Sequence, residues 1–417
     1  MIRTRKPISI KEAVNLVLEA APSLSIENIN LENSFGRVLA DDLYAPRPIP
    51  WYSRSPYDGY AVFSASTEKA RGGHAVSLEV VESDEKASLQ TGQAVKVMTG
   101  SPLPKGADAV IMNELVRVEE RAGRKYIQIK RRLSEGENVS QIGEDIQKGQ
   151  LLVQKGTIIN PGVMAVLAAF GWTHVSTARK PRVGIIAAGD HLSDPDEPFQ
   201  PGQVRDSNTY MLMAQCSRGQ AEAYNYGRIA GSVDHAVNKI TDALENVDLL
   251  VTTGGVSVGD DDIMQRIYEE LEATVLFNKI AMRPGSVTSA AVAHGKLLIG
   301  LSGNPSACYA GFELLARPVI RMMLGLPKPY LRRVPAILRT DFLKPSPVTR
   351  FVRGRLFIRN GKVYTEPSGK DKSNMISSLP KANSLIVLPA GTKGCTAGSL
   401  VDALILEDGE WSGQEWE

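Results

Sequence analysis

The sequence predicts a multidomain α/β protein: an α+β and β-rich N-terminal region, a three-layer α/β domain with a mostly parallel sheet, and a small C-terminal β-barrel or sandwich. Three observations predict it. Strand and helix signals alternate from Lys180-Pro181 to about residue 326, the pattern of βαβ units. Short β-like runs separated by Gly and Pro turns fill residues 75 to 157. Asn360-Gly361 stands between two strand-like runs in RFVRGRLFIRNGKVYTEPS, a strong hairpin signal.

Taken in order, Ser9 and Glu12 have capping-box spacing, and Ala13, Val14, Val17 and Leu18 then fall on one helix face. Residues 41 to 60 hold four prolines and exclude a regular element. HAVSLEVVES, AVKVM, DAVIMNELVRV and KYIQIK read as strands of a β-rich insert, about 45 to 140. Pro161 to Phe170 reads as a helix closed by Gly171. The α/β domain then runs through strands at 182–188, 222–226 (weak), 248–253 and 296–301. Its helices are expected at 208–218, 234–246, 262–272 and 307–324. The expected division is 1–180, 181–327 and 328–417.

Bulk properties exclude several classes. A net charge of +2 from 48 basic and 46 acidic residues gives no reason to expect nucleic acid or an acidic membrane surface. The opening MIRTRKPISIKEA lacks a signal peptide's apolar segment, and no run approaches a membrane span. Cys216, Cys308 and Cys395 have no metal-type spacing and read as buried thiols in a reducing cytoplasm. No G-x-G-x-x-G follows the first α/β strand and no Walker-type motif occurs.

The candidate chemistry lies at strand ends, where open parallel sheets collect ligands. Three turns are suggestive: AAGDHL (187–192), TTGGVSVGDDD (252–262) and GLSGNPSA (300–307). Each could aim backbone N–H groups at an anion, although a strand-to-helix turn often needs Gly for geometry alone. Asp260, Asp261 and Asp262 beside such a nest point to phosphate with Mg²⁺ between, against the plainer reading of acids complementing a helix dipole. Lys279 and Arg283 precede a Pro-Gly turn, suited to clamping an oxyanion or simply to solvated charge.

TTGGVSVGDDD and GLSGNPSA, preceded by PYDGYAV (56–62), MTGSPLPKGADAV (98–110) and GENVSQIGEDI (136–146), resemble the MoeA family of molybdopterin molybdenumtransferases, related to the gephyrin C-terminal domain. The resemblance covers nearly the whole chain, with five motifs in order over about 250 residues. It implies insertion of molybdate into adenylylated molybdopterin with Mg²⁺ and release of AMP. An elongated N-terminal region, a molybdopterin-binding α/β domain and a C-terminal β-barrel are implied too. So is a homodimer whose cleft joins the α/β domain of one copy to the N-terminal region of the other. Further implied partners are an upstream adenylyltransferase and recipient molybdoenzymes.

Carried over by motif, Asp58, Thr99 and Asp145 would line that cleft, Asp262 would meet metal and phosphate, and Lys279 and Arg283 would hold molybdate or phosphate. Substrate contacts would come from Asp190 and Asp206, from Gly254, Gly255, Ser257 and Gly259, and from Gly303, Asn304, Pro305 and Ser306. Arg353 and Ser373 would add polar groups from the C-terminal domain. The expected mechanism is metal polarisation of the adenylyl phosphate, with a molybdate oxygen or water as nucleophile. Three positions depart from the family pattern: His191 replaces Glu, Ser286-Val287 replaces Lys-Pro, and Ser140 stands where Arg is common. They keep open a paralogue that binds molybdopterin without turnover; a scaffold is disfavoured, since no fused partner domain or long linker is present.

Overall fold

Ser9 starts the first helix as its spacing requires. Its hydroxyl accepts the Glu12 backbone N–H at 3.1 Å, and the helix Ile10–Glu19 buries Ala13, Val14 and Val17. The computed structural model describes residues 6–72, 74–82, 88–198, 200–229, 231–255 and 263–406. The chain forms two compact units, one of residues 1–40, 156–161 and 174–417, the other of 41–155 and 162–173. The first helix therefore packs in the core of the α/β domain, together with Val183, Leu249 and Leu297.

In the larger unit a six-stranded sheet has the order Glu222–Ile229, Arg182–Ala188, Leu249–Gly254, Lys296–Leu301, Ser289–Ala293, Thr274–Phe277. The first four run parallel; Ser289–Ala293 runs against them and is antiparallel to both its neighbours, so the edge strand Thr274–Phe277 runs with the first four. The weak strand thus continues to Ile229, and two strands appear where none was expected. Alternate residues divide between two cores: Val183, Leu249, Val251 and Ile299 face one layer, Ile186, Leu250 and Leu298 the other. Apolar side chains on both faces require helices on both faces. Asn208–Arg218 and the C-terminal helix cover one, Val233–Asn246 and Ile263–Glu270 the other.

The helix expected at 307–324 starts earlier and changes pitch. Pro305–Gly311 is α-helical, Phe312–Ala316 is a π segment, and Arg317–Met323 is α-helical again. Pro305 suits a first turn. At the π segment the fully buried Glu313 carboxylate meets Arg218, Arg317 at 2.7 Å and the Gln215 amide at 2.6 Å. A buried charge needs such partners.

The C-terminal part is a barrel. Thr349–Arg359 pairs with Lys362–Pro367 at one end and Ser384–Leu388 at the other, and Arg333–Leu338 and Leu400–Ile405 complete the circuit. Closure removes free strand edges, which explains how short strands form a stable domain. The smaller unit holds a sheet in the order Ala109–Met112, Gly59–Val62, Gln93–Val97, Val76–Val81, Arg124–Ile129, Val116–Arg121, together with the helix Pro161–Phe170. No helix of the described residues is long and apolar enough to cross a membrane. Cys216 and Cys308 are buried free thiols, pushed up to about 12 by burial, and Cys395 is free and half-buried.

Candidate active site

Two cavities open where the parallel strands end. From Arg182–Ala188 the chain connects to one neighbouring strand and later to the other, so this strand marks the switch point where ligands collect. Glycine lets the turns meet. Gly254 has φ +87°, and a Cβ there would lie 2.2 Å from the Ala188 carbonyl oxygen; a Cβ on Gly303 would lie 3.3 Å from Gly254 Cα. The close approach leaves a cavity of about 810 Å³, lined among others by Gly254, Gly255, Gly303, Asn304, Pro305 and His191.

Asn208, absent from the sequence-based set, pins these turns. Its Nδ2 donates to Thr253 Oγ1 at 2.8 Å and to the Gly303 carbonyl at 2.9 Å, while Thr253 Oγ1 donates to the Ser302 carbonyl at 3.2 Å. Its Oδ1 is buried without a protein partner, which leaves an acceptor on the cavity wall for a ligand N–H. Asp206 also lines the cavity, but its oxygens accept the Thr209 N–H and hydroxyl at 3.1 and 2.6 Å and so cap the helix. Asp190 is exposed and accepts the Gly231 N–H at 3.0 Å.

The second cavity, about 310 Å³, shares Val287, Ser302 and Asn304 with the first, so the two adjoin. Arg283, Arg350 and Lys372 line it with one carboxylate, Asp371, and with Ser286 and Ser373. Three cations against one anion leave a formal charge of +2. Arg283 and Arg350 are adjacent because Met282–Arg283 pairs in parallel with Thr349–Arg350. Ser306, at the start of the helix after GLSGNPSA, donates its N–H to the Ser373 carbonyl at 3.0 Å and its hydroxyl to the Met375 carbonyl at 2.5 Å. Those bonds tie the C-terminal loop to the cavity wall.

Lys279 is half-buried and does not line this cavity; its carbonyl accepts the Ile8 N–H at 3.1 Å. Arg353 is 2% exposed and lies behind the loop, where Nε donates to Ser378 Oγ at 2.9 Å. Burial pulls its pKa down and Asp371 opposes the shift. The cavity's cations from the C-terminal domain are therefore Arg350 and Lys372, neither of which the sequence reading named. A charge inside the apolar run of TRFVRGRL was the available signal for Arg350.

In the smaller unit Asp58 and Thr99 come together. The Thr99 N–H and hydroxyl donate to Asp58 Oδ1 at 2.7 and 2.9 Å, and these bonds, the N–H first, hold its carboxyl below the usual carboxylate range. Asp145 is exposed, with its backbone N–H on the Ile49 carbonyl at 3.1 Å. Ser140 pairs with Arg54 through both backbone groups, at 2.9 and 3.0 Å. In a Thr99→Ala variant the Asp58 titration, followed by carboxyl-carbon NMR, should move up toward the ordinary value as the hydroxyl bond is lost. An unmoved titration would remove Thr99's hydroxyl as a cause.

Ser257, Gly259 and the Asp260 to Asp262 run lie outside the described residues. Among the described residues no group of three His, Cys, Asp or Glu side chains could hold a metal. Asp206, committed to Thr209, is not a free ligand.

Three family profiles match the chain in order: the MoeA N-terminal region (domain I and II) over 8–171, the probable molybdopterin binding domain over 184–322, and the MoeA C-terminal region (domain IV) over 335–406. A Bacillus subtilis molybdopterin molybdenumtransferase is 44% identical over 100% of this chain and 97% of its own length. One from Staphylococcus epidermidis is 39% identical over 97% of each. A crystal structure of the molybdopterin biosynthesis moeA protein from Pyrococcus horikoshii OT3 superposes with a TM-score of 0.80 at 28% identity, covering 96% of this chain and 100% of that one. The fold, the ordered domain matches and this identity over the full length place the chain in the MoeA family, the molybdopterin molybdenumtransferases.

Proposed function

We propose that this chain inserts molybdate into adenylylated molybdopterin and releases AMP, with 1–180, 181–327 and 328–417 as its working parts. The observation that carries the reading is the adjoining pair of cavities, one pterin-sized and walled by glycine turns, one small and cationic. Oxyanions require cations and N–H donors in a sheltered place, and the formal +2 of the small cavity suits a dianion. Arg283, Arg350 and Lys372 would hold molybdate. The bare backbone at Gly254, Gly255 and Gly303 lets a bulky ligand approach, and Asn208 Oδ1 would accept one of its N–H groups. Arg350 and Lys372 also keep the cavity cationic despite Ser286.

Bound at Asp262, Mg²⁺ would neutralise phosphate charge and polarise the adenylyl phosphate. Asp58, its carboxyl held below the usual range by Thr99, and Asp145 form a second set in the smaller unit. We further propose a cytoplasmic homodimer supplied by an adenylyltransferase and serving molybdoenzymes. The test is reconstitution: purified chain, adenylylated molybdopterin, molybdate and Mg²⁺, with AMP and cofactor measured. AMP release should require molybdate and Mg²⁺ and fall in Asp262→Ala. Binding without release would instead select the non-catalytic reading.

A further inference from the structure

Arg350 is paired before any substrate arrives. It is 9% exposed, and its Nη1 donates to Asp371 Oδ2 at 2.6 Å, with both side chains about nine-tenths buried. Its Nε is buried without a protein partner. The loop backbone around Asp371 is held in place from outside the cavity. Arg353 Nη2 reaches the carbonyls of Lys370 and Lys372 at 3.3 and 3.4 Å and lies 3.9 Å from Asp371 Oδ1, and Lys344 Nζ donates to the Asp371 carbonyl at 3.0 Å. Both Arg350 and Asp371 line the small cavity.

We propose that Asp371 is a built-in counter-ion, an internal stand-in for the oxyanion on Arg350, that weakens and so regulates how tightly the substrate oxyanion is held. A buried guanidinium left alone is costly, so some anion must accompany it. With Asp371 fixed beside it, an incoming dianion shares Arg350 with a carboxylate and is repelled by that carboxylate. Arg350 spends one of its five N–H groups on Asp371, so donors remain for it, the unpartnered Nε among them. Asp371 is thus a positioning residue, acting through Arg350. Its effect is to keep three cations from becoming a trap, because the oxyanion must leave this cavity to enter the product. This inference rests on the small cavity being the oxyanion site.

The test titrates molybdate, and separately sulfate, into the purified full chain by calorimetry in chloride buffer. Asp371→Asn should bind molybdate about tenfold more tightly and gain at least as much for sulfate, since a neutral amide no longer competes. KM for molybdate and kcat should fall together. Asp371→Glu, which keeps the charge, should stay within about threefold of the native affinity. A folded Asn variant that binds equally or more weakly overturns the proposal, because a mere brace for Arg350 predicts that direction. If the Asn variant does not fold alone, folding restored by excess molybdate supports the proposal, and failure to fold in its presence overturns it. Arg350→Ala separates the two readings. Unchanged oxyanion binding there sinks the oxyanion cavity itself, whereas lost binding with no tightening in Asp371→Asn sinks the counter-ion alone.

Discussion

An Arg350→Ala chain is expected to release AMP in response to molybdate about 10²- to 10³-fold more slowly than the native chain, the cost of removing a preorganised oxyanion donor. Two effects add. The cavity falls from a formal +2 to +1, and the Asp371 carboxylate, previously paired at 2.6 Å, faces the arriving anion. Losing one partner of a buried pair also costs stability, about 3–5 kcal/mol. Melting curves are therefore needed beside the assay. Arg350→Lys should keep the fold and recover part of the rate, because an ammonium supplies charge without the planar fork. Native-like release from a folded Arg350→Ala chain would exclude the small cavity from the reaction.

Gly254→Ala should be a severely damaging single-methyl change. The new Cβ would sit 2.2 Å from the Ala188 carbonyl oxygen, on a backbone at φ +87° that L residues avoid. The obstacle is main chain of a paired strand, which cannot swing aside. Overpacking and the unfavourable φ together cost about 3–5 kcal/mol. Gly202→Ala is the comparison: its φ is +89°, but nothing lies within 4 Å of the added methyl, so only about 1–2 kcal/mol is expected. Urea unfolding reads both. Equal midpoint shifts would mean that the strand ends do not approach as described.

The α/β domain was legible because its signals are local and repeated. Arg182–Ala188, Lys296–Leu301 and Asn208–Arg218 follow from apolar runs bounded by turns. The strands Thr274–Phe277 and Ser289–Ala293 were not, since a short small-residue run such as SAAVA carries little period-2 contrast until it pairs across the sheet. The π segment was hidden for a different reason. Within it the Glu313 carboxylate reaches Arg218 and Gln215 on another helix, tertiary contacts that the local sequence does not announce.

The candidate site divides in the same way. Glycine turns betrayed the larger cavity, because backbone geometry is written in residue type. The cations of the smaller cavity are assembled by long-range pairing. Arg283 was named and Arg350 was not, although the two are register neighbours, because 66 positions separate them in the chain. Arg353, three residues on, has the same chemistry but an interior address behind the loop.

The Met282–Arg283 strip grafted onto the barrel's long strand means that neither domain owns the charge centre. A lesion that loosened the barrel would strip the small cavity of Arg350 and Lys372 and the larger one of Asn374 and Ile376. Conversely, a captured dianion would rivet the two domains, so their cohesion should rise with its concentration as any ligand-linked equilibrium does. Substrate supply would then double as a structural fastener.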